Sequence, residues 1–175
     1  MDARSRAARI KLVAFDIDGV MTDGGLHYTD DGRELKTFNV QDGFGLKLLQ
    51  QAGLELAIVT GRTSGVVAAR AADLGIEHVF QGVADKAAVV ASLLERLGLH
   101  WPECAFMGDD LIDLRVMSQC GLALAPANAR QVVRERAHAV TDSAGGHGAV
   151  REAVEFILDA QGKRETLFAA YLDAQ

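Results

Sequence analysis

The stretch Lys11-Leu12-Val13-Ala14-Phe15-Asp16-Ile17-Asp18-Gly19 constrains this chain more than any other. Its apolar, β-leaning part, residues 10–15, has the length of one buried strand. It breaks off into two carboxylates one residue apart, Asp16 and Asp18, and then Gly19. Like charges at the end of a buried strand raise each other's pKa, and burying them is costly without a cation or hydrogen-bond donors. A hard cation offsets that cost, and Mg²⁺ prefers a few carboxylates together with water and phosphate oxygens. A turn closed by Asp and Gly is the competing reading of Asp-x-Asp-Gly taken alone. The rest of the chain decides between them.

Downstream, strand-like and helix-like stretches alternate. That alternation predicts a doubly wound α/β fold, a mainly parallel sheet with helices on both faces. Residues 54–60, 78–80, 104–107 and 122–125 read as further strands, and 137–141 as an edge strand. Helices are expected over 44–51, from just after Ser64 to 74, over 86–97 and 111–119, from 126–128 onward, and from 145–152 to 160. Residues 24–40 are too polar for a sheet core and contain Asp31-Gly32, so they read as an inserted β-hairpin. Such a hairpin is a decorated loop or a flap over a site, and its place directly after the acidic strand end favours the flap. Residues 162–175 form a tail that Phe168 and Tyr171 make amphipathic enough to dock. With 175 residues and no repeat or linker, residues 1–175 read as a single domain.

The other strand ends carry groups with two readings each. Thr60-Gly61 presents a hydroxyl and backbone N–H groups to a phosphate, or is an ordinary turn in which Thr63 or Ser64 caps the next helix. Lys86 stands in the first turn of its helix, against the dipole. That is unfavourable unless the ammonium reaches an anion, although surface lysines do occur there. Asp110 and Asp113 are favourable first-turn acids in their own right, whereas Asp109, at the carboxyl end of a strand, is not. No catalytic role falls to His27, His78, His100 or His138, and His147 between glycines reads as a turn residue.

A net charge of −6 argues against a broad nucleic-acid surface, so an anionic ligand must meet a local cluster of Lys and Arg. The longest apolar runs are strand-length, which predicts no membrane span. The basic residues 1–9 are not followed by an apolar core of signal-peptide type. Cys104 and Cys120 read as buried small apolar residues rather than a disulfide or zinc framework, which fits a reducing cytoplasm.

Ligands of an open parallel sheet bind outside the carboxyl ends of its strands. Asp16, Asp18, Thr60, Lys86, Asp109 and Asp110 all fall at such an end or at the helix start beside it. The set offers acids for Mg²⁺, a spare carboxylate nucleophile, a hydroxyl and an ammonium. Phosphoryl transfer requires those groups, because its catalysis is largely positioning and charge neutralisation. No Gly-x-x-x-x-Gly-Lys-Ser/Thr or Gly-x-Gly-x-x-Gly occurs, so nucleotide binding is not supported.

Asp16-Ile17-Asp18-Gly19-Val20-Met21-Thr22-Asp23, Thr60-Gly61-Arg62, Lys86 and Gly108-Asp109-Asp110-x-x-Asp113 resemble, in order, the four motifs of the haloacid dehalogenase superfamily of phosphatases. The short hairpin in place of a large cap, the run Leu35 through Asn39 to Asp42-Gly43, and Gly145-Gly146-His147-Gly148-Ala149-Val150-Arg151-Glu152 resemble its minimal-cap branch acting on eight-carbon sugar-acid phosphates. The resemblance covers residues 10–162, and departs from the branch at His147, where its pattern has a basic residue.

This resemblance implies a Rossmann-like haloacid dehalogenase fold and a Mg²⁺-dependent phosphatase in the cytoplasmic supply of a lipopolysaccharide sugar. Asp16 would attack phosphorus and form an aspartyl-phosphate, and Asp18 would protonate the leaving oxygen and then activate water. Mg²⁺ would be held by the carboxylate of Asp16, the backbone carbonyl of Asp18, and Asp109. Thr60 and Lys86 would bind phosphoryl oxygens, with Asp110 and Asp113 behind the metal ligands or touching substrate. The sugar contacts map onto Asn39, Val40, Gln41, Asp42, Gly43, Lys47, Arg62 and Arg70, and two anionic groups on the substrate suit the guanidinium forks. A homotetramer is also implied, with neighbouring hairpins, and the tail, closing a capless site. The competing functions are a phosphatase for a nine-carbon sugar acid 9-phosphate and a non-catalytic scaffold of the same fold. The complete acid, Thr and Lys set argues against the scaffold.

Overall fold

Six of the apolar runs pair into one sheet. In the computed structural model, which describes residues 1–172, the strands in chain order are β1 (Leu12–Phe15), β2 (His27–Tyr28), β3 (Glu34–Leu35), β4 (Glu55–Val59), β5 (His78–Phe80), β6 (Cys104–Met107), β7 (Leu122–Ala125) and β8 (Ala139–Val140). The parallel sheet has the order β5-β4-β1-β6-β7-β8, and β2 and β3 form a separate antiparallel hairpin. The helices are α1 (Ala3–Ala7), α2 (Val40–Gln51), α3 (Gly65–Leu74), α4 (Lys86–Leu97), α5 (Leu114–Met117), α6 (Gln131–Arg134), α7 (Ala149–Ala160) and α8 (Arg164–Leu172).

Strand β1 is buried along its whole length, so it needs apolar cover on both sides. Val13 and Phe15 face a core shared with α2, α3 and α7, while Leu12 and Ala14 face one built with α4, α5 and α6. Phe15 stands level with Ile58 of β4 and Met107 of β6, and fully burying each such side chain contributes about 1.5–3 kcal/mol. That register brings the carboxyl ends of β4, β1 and β6 side by side. Among the described residues no helix is long and apolar enough to cross a membrane.

Several boundaries differ from the sequence reading. Helix α2 begins at Val40 rather than 44, because Asn39 caps it by accepting from the backbone N–H groups of Gln41 (2.7 Å) and Asp42 (3.4 Å). The helix expected over 111–119 is a 3₁₀ turn, Leu111–Asp113, followed by the short α5. The carboxylate of Asp113 accepts from the N–H groups of Asp109 and Asp110 and tightens that turn. The helix expected from 126 begins at Gln131, since Asn128 is engaged with Gly145 and the Arg130 N–H with the Asp109 carbonyl.

The tail contains a helix. In α8, Leu167 and Phe168 pack against the core, and Tyr171 sets its ring edge-on to Phe44 at 5.2 Å. Arg151 of α7 lies between the rings of Phe44 and Phe168, 5.3 and 5.6 Å from their centres. The described part of the tail therefore docks on α2 and α7 of its own chain; residues 173–175 lie outside the described residues.

The loop before α7 leans on the turn after β1. Gly146 donates to the carbonyl of Val20 (3.0 Å), and a Cβ on Gly145 would stand 1.8 Å from the carbonyl oxygen of Gly19. Gly145→Ala is therefore expected to destabilise the fold by about 2 kcal/mol or more. Gly65→Ala, where a Cβ meets nothing within 4 Å, should be neutral or stabilising by up to about 1 kcal/mol. Urea unfolding of the two variants checks the contrast.

Candidate active site

The three adjacent strand ends deliver their groups to one place. Asp16 follows β1 directly, and its N–H donates to the carbonyl of Met107 (3.0 Å), so the ladder fixes its backbone. Thr60 follows β4 and is held likewise by the carbonyl of Phe80 (2.9 Å). Asp109 stands two residues beyond β6. From the sheet face covered by α4, α5 and α6, α4 begins with Lys86, after Asp85 has capped it through the Ala88 N–H (3.1 Å).

The ammonium of Lys86 is buried and sits 2.8 Å from Asp16 Oδ2 and 2.7 Å from Asp113 Oδ1. A lysine at this helix position therefore does have anions to reach, and they are carboxylates of the site. Asp113 is fully buried, and its other oxygen accepts from the Asp109 and Asp110 N–H groups at 2.9 and 3.2 Å. Asp16 Oδ1 accepts from the Ile17 N–H at 2.8 Å.

One oxygen from each of Asp16, Asp109 and Asp113 lies within 4.8 Å of the other two. Three carboxylates against one ammonium leave two negative charges without a countercharge. Burial, and then the charge of Asp113, pushes the Asp16 carboxyl above its ordinary range, against the pull of Lys86. Asp109 is pushed up to about 7 by burial first and then by Asp113, Asp16 and Asp110. This donor set is all oxygen, and a hard divalent cation such as Mg²⁺ supplies the missing charge. The residues therefore fit the metal expected from the sequence. The sequence reading assigned ligands from Asp16, Asp18 and Asp109 and set Asp113 behind them; the Asp113 carboxylate lies inside the cluster itself.

Asp18 faces the hairpin. Its carboxylate is partly exposed and pairs with Lys36, and its Oδ2 is 3.5 Å from Nε of Arg62. Lys36, Glu34 and Tyr28 were missed by the sequence reading. The available signal was Asp18 itself, a second acid whose countercharge had to come from a neighbouring segment.

The expected sugar contacts divide into two groups. Arg62 lies beside Asp18 and Arg70 beside Asn39, with Val40 and Gln41 exposed in the first turn of α2. Arg70 lies over Gly43, its Nη2 is 3.5 Å from the carbonyl of Asn39, and its buried Nε has no partner among the described residues. Asp42, by contrast, is buried and caps α7, accepting from the N–H groups of Arg151 (2.8 Å) and Gly148 (3.3 Å). Its carboxylate is committed to that helix start, and burial raises its pKa against those hydrogen bonds. Lys47 is exposed eight residues along α2 from Asn39, about 12 Å at the helical rise. Asp110 is exposed, with its carboxylate on the Leu111 N–H at 2.7 Å.

Residues 66–153 match the haloacid dehalogenase-like hydrolase family. The 3-deoxy-D-manno-octulosonate 8-phosphate phosphatase of Escherichia coli (strain K12) is 44% identical over 162 residues, 93% of this chain and 86% of that protein. A crystal structure of the phosphatase of the same name from Yersinia pestis has a TM-score of 0.92 at 45% identity, covering 94% of this chain and 89% of that one. The corresponding structure from Moraxella catarrhalis, in complex with magnesium ion, phosphate ion and a KDO molecule, has a TM-score of 0.94 at 42% identity. That match covers 96% of this chain and 97% of the other.

Two outcomes follow from the charge balance. Mg²⁺ at a hundred times its Kd should stabilise the protein by about 2.7 kcal/mol, a rise in Tm of about 5–10 °C for a chain of this size. Asp109→Asn should remove that rise in a thermal-shift titration. Lys86→Met, which strips the countercharge from two buried acids, should cost about 3–5 kcal/mol in EDTA, and Mg²⁺ should restore part of it. Urea unfolding with and without the metal measures both terms.

Proposed function

The chain belongs to the haloacid dehalogenase-like hydrolases and, within them, to the 3-deoxy-D-manno-octulosonate 8-phosphate phosphatases, and from that premise we propose that it hydrolyses 3-deoxy-D-manno-octulosonate 8-phosphate to the free sugar acid and phosphate. The enzyme is a Mg²⁺-dependent phosphoric monoester hydrolase of lipopolysaccharide sugar biosynthesis. The observation that carries the reading is the grouping of Asp16, Asp109, Asp113 and Lys86 beside Thr60 at adjacent strand ends.

Asp16, Asp109 and Asp113 would hold the metal, which when bound would supply positive charge to the phosphoryl oxygens and to these acids. Asp16 Oδ attacks phosphorus as the bond to the sugar oxygen breaks, giving an aspartyl-phosphate. Asp18 gives its proton to the departing oxygen, then takes one from the water that opens the acyl phosphate. Lys86 and Thr60 hold phosphoryl oxygens, and the ladder that fixes Asp16 and Thr60 keeps the donor geometry set before substrate arrives.

At the sugar end, Arg70 has a buried donor free for an anion, and Arg62 is open to solvent. Together they suit the carboxylate of a sugar acid through charge-assisted hydrogen bonds. We place the enzyme in the cytoplasm as a homotetramer. Support for assembly comes from exposed apolar side chains on the hairpin (Leu26, Tyr28, Leu35) and beside the acidic turn (Leu111, Ile112). Packed against copies of themselves, these surfaces would wall in a site that has no large cap.

Phosphate release from 3-deoxy-D-manno-octulosonate 8-phosphate should exceed release from a nine-carbon sugar acid 9-phosphate, and EDTA should abolish both. Asp16→Asn should reduce release to background while leaving the Tm measured in EDTA close to wild type. Preference for the nine-carbon substrate would reassign the sugar; release that survives EDTA would remove the metal from the reaction.

A further inference from the structure

Lys36 stands one residue beyond β3, and its side chain is only 1% exposed. Lysine is almost never enclosed in this way unless paired. Its ammonium contacts Asp18 Oδ1 and lies 3.3 Å from Glu34 Oε1. Arg62 approaches the same two acids from the open side, with Nε 3.5 Å from Asp18 Oδ2 and Nη2 2.8 Å from Glu34 Oε1. Nη2 also lies 2.8 Å from the hydroxyl oxygen of Tyr28. Each oxygen of Asp18 thus has its own cation, but the two cations differ. Lys36 is sealed under the hairpin, whereas Arg62 is 43% exposed and open to solvent.

We propose that Lys36 is a positioning residue for the reaction: it holds Asp18 Oδ1 so that Oδ2 is presented to the leaving oxygen once Arg62 has turned to the substrate. This rests on the phosphatase reading and on Asp18 as the proton carrier. Once Arg62 has left it, Oδ2 takes up a proton from solvent, and the carrier gives that proton to the sugar oxygen while the Asp16–phosphorus bond forms and the sugar–phosphorus bond breaks. It then takes a proton from water while the water–phosphorus bond forms and the Asp16–phosphorus bond breaks. A carboxylate performing both transfers needs one oxygen free and the other anchored. The hairpin, through Glu34 and Lys36, supplies the anchor from outside the catalytic turn.

Lys36→Met tests this in the Mg²⁺-loaded enzyme. Turnover of 3-deoxy-D-manno-octulosonate 8-phosphate should fall about 100-fold in kcat, the scale of a misplaced general acid, with KM changed by less than about threefold. Single-turnover release from a series of aryl phosphates adds a readout that a purely structural role would not move. The loss should shrink steadily as the leaving group becomes a stronger acid, because such groups depart without a proton. Glu34→Gln, which loosens Lys36 without removing it, should show the same trend with a smaller loss, and it keeps the test available if Lys36→Met does not fold. A loss equal across the series, a change confined to KM, or wild-type kinetics in both variants overturns the proposal while leaving the phosphatase intact. A wild-type enzyme that releases phosphate from none of these substrates overturns the phosphatase reading, and the role of Lys36 with it.

Discussion

The ammonium of Lys86 holds the working end of this molecule together. It is the buried cation between two buried acids, Asp16 after β1 and Asp113 after β6, and it arrives from the first turn of α4. Without it the carboxylates would repel one another in a place that water cannot screen. With it, they still carry more negative charge than the site can tolerate, and a divalent ion has a reason to bind. Stability and metal affinity are thus set against each other in a single cluster: the acids are crowded enough to demand a cation and paired enough to fold before it comes.

The sheet makes this crowding possible. A strand covered on both faces has nowhere to place polar groups except its ends, and the parallel order aligns the ends of β4, β1 and β6. The hairpin between β1 and α2 then closes one side with ionic contacts from Lys36 to Asp18 and from Glu34 to Arg62, which follows β4. Its paired strands are only two residues each, so its own ladder is short and those charges add to its attachment.

Much of this was legible in the sequence. The strands over 78–80, 104–107 and 122–125 and the helix over 86–97 lie where predicted, because the last two strands are uninterrupted apolar runs, the helix is 3.6-periodic, and the short 78–80 strand is β-leaning and bounded by clear stops. The acids at the strand ends announced a hard-cation site, and the family and reaction followed from their order. The start of α2 was hidden because Gly43 and Gly45 look like loop residues. Both are there for space: a Cβ on Gly43 would stand 2.2 Å from Arg70 Nη2, and one on Gly45 3.0 Å from Arg151 Cδ. Asp42 and Lys36 were opaque for a related reason. Their partners lie on α7 and the catalytic turn, and no local pattern states which of two acids faces a ligand and which caps a helix.

The contact between Gly145 and the carbonyl of Gly19 also couples distant parts of the chain. The catalytic turn and the loop that backs it are far apart in sequence and meet only through the folded sheet and helices between them. A change that loosens the packing of the loop before α7 therefore reaches the acid pair through the backbone of its own turn, with no side chain of the site altered.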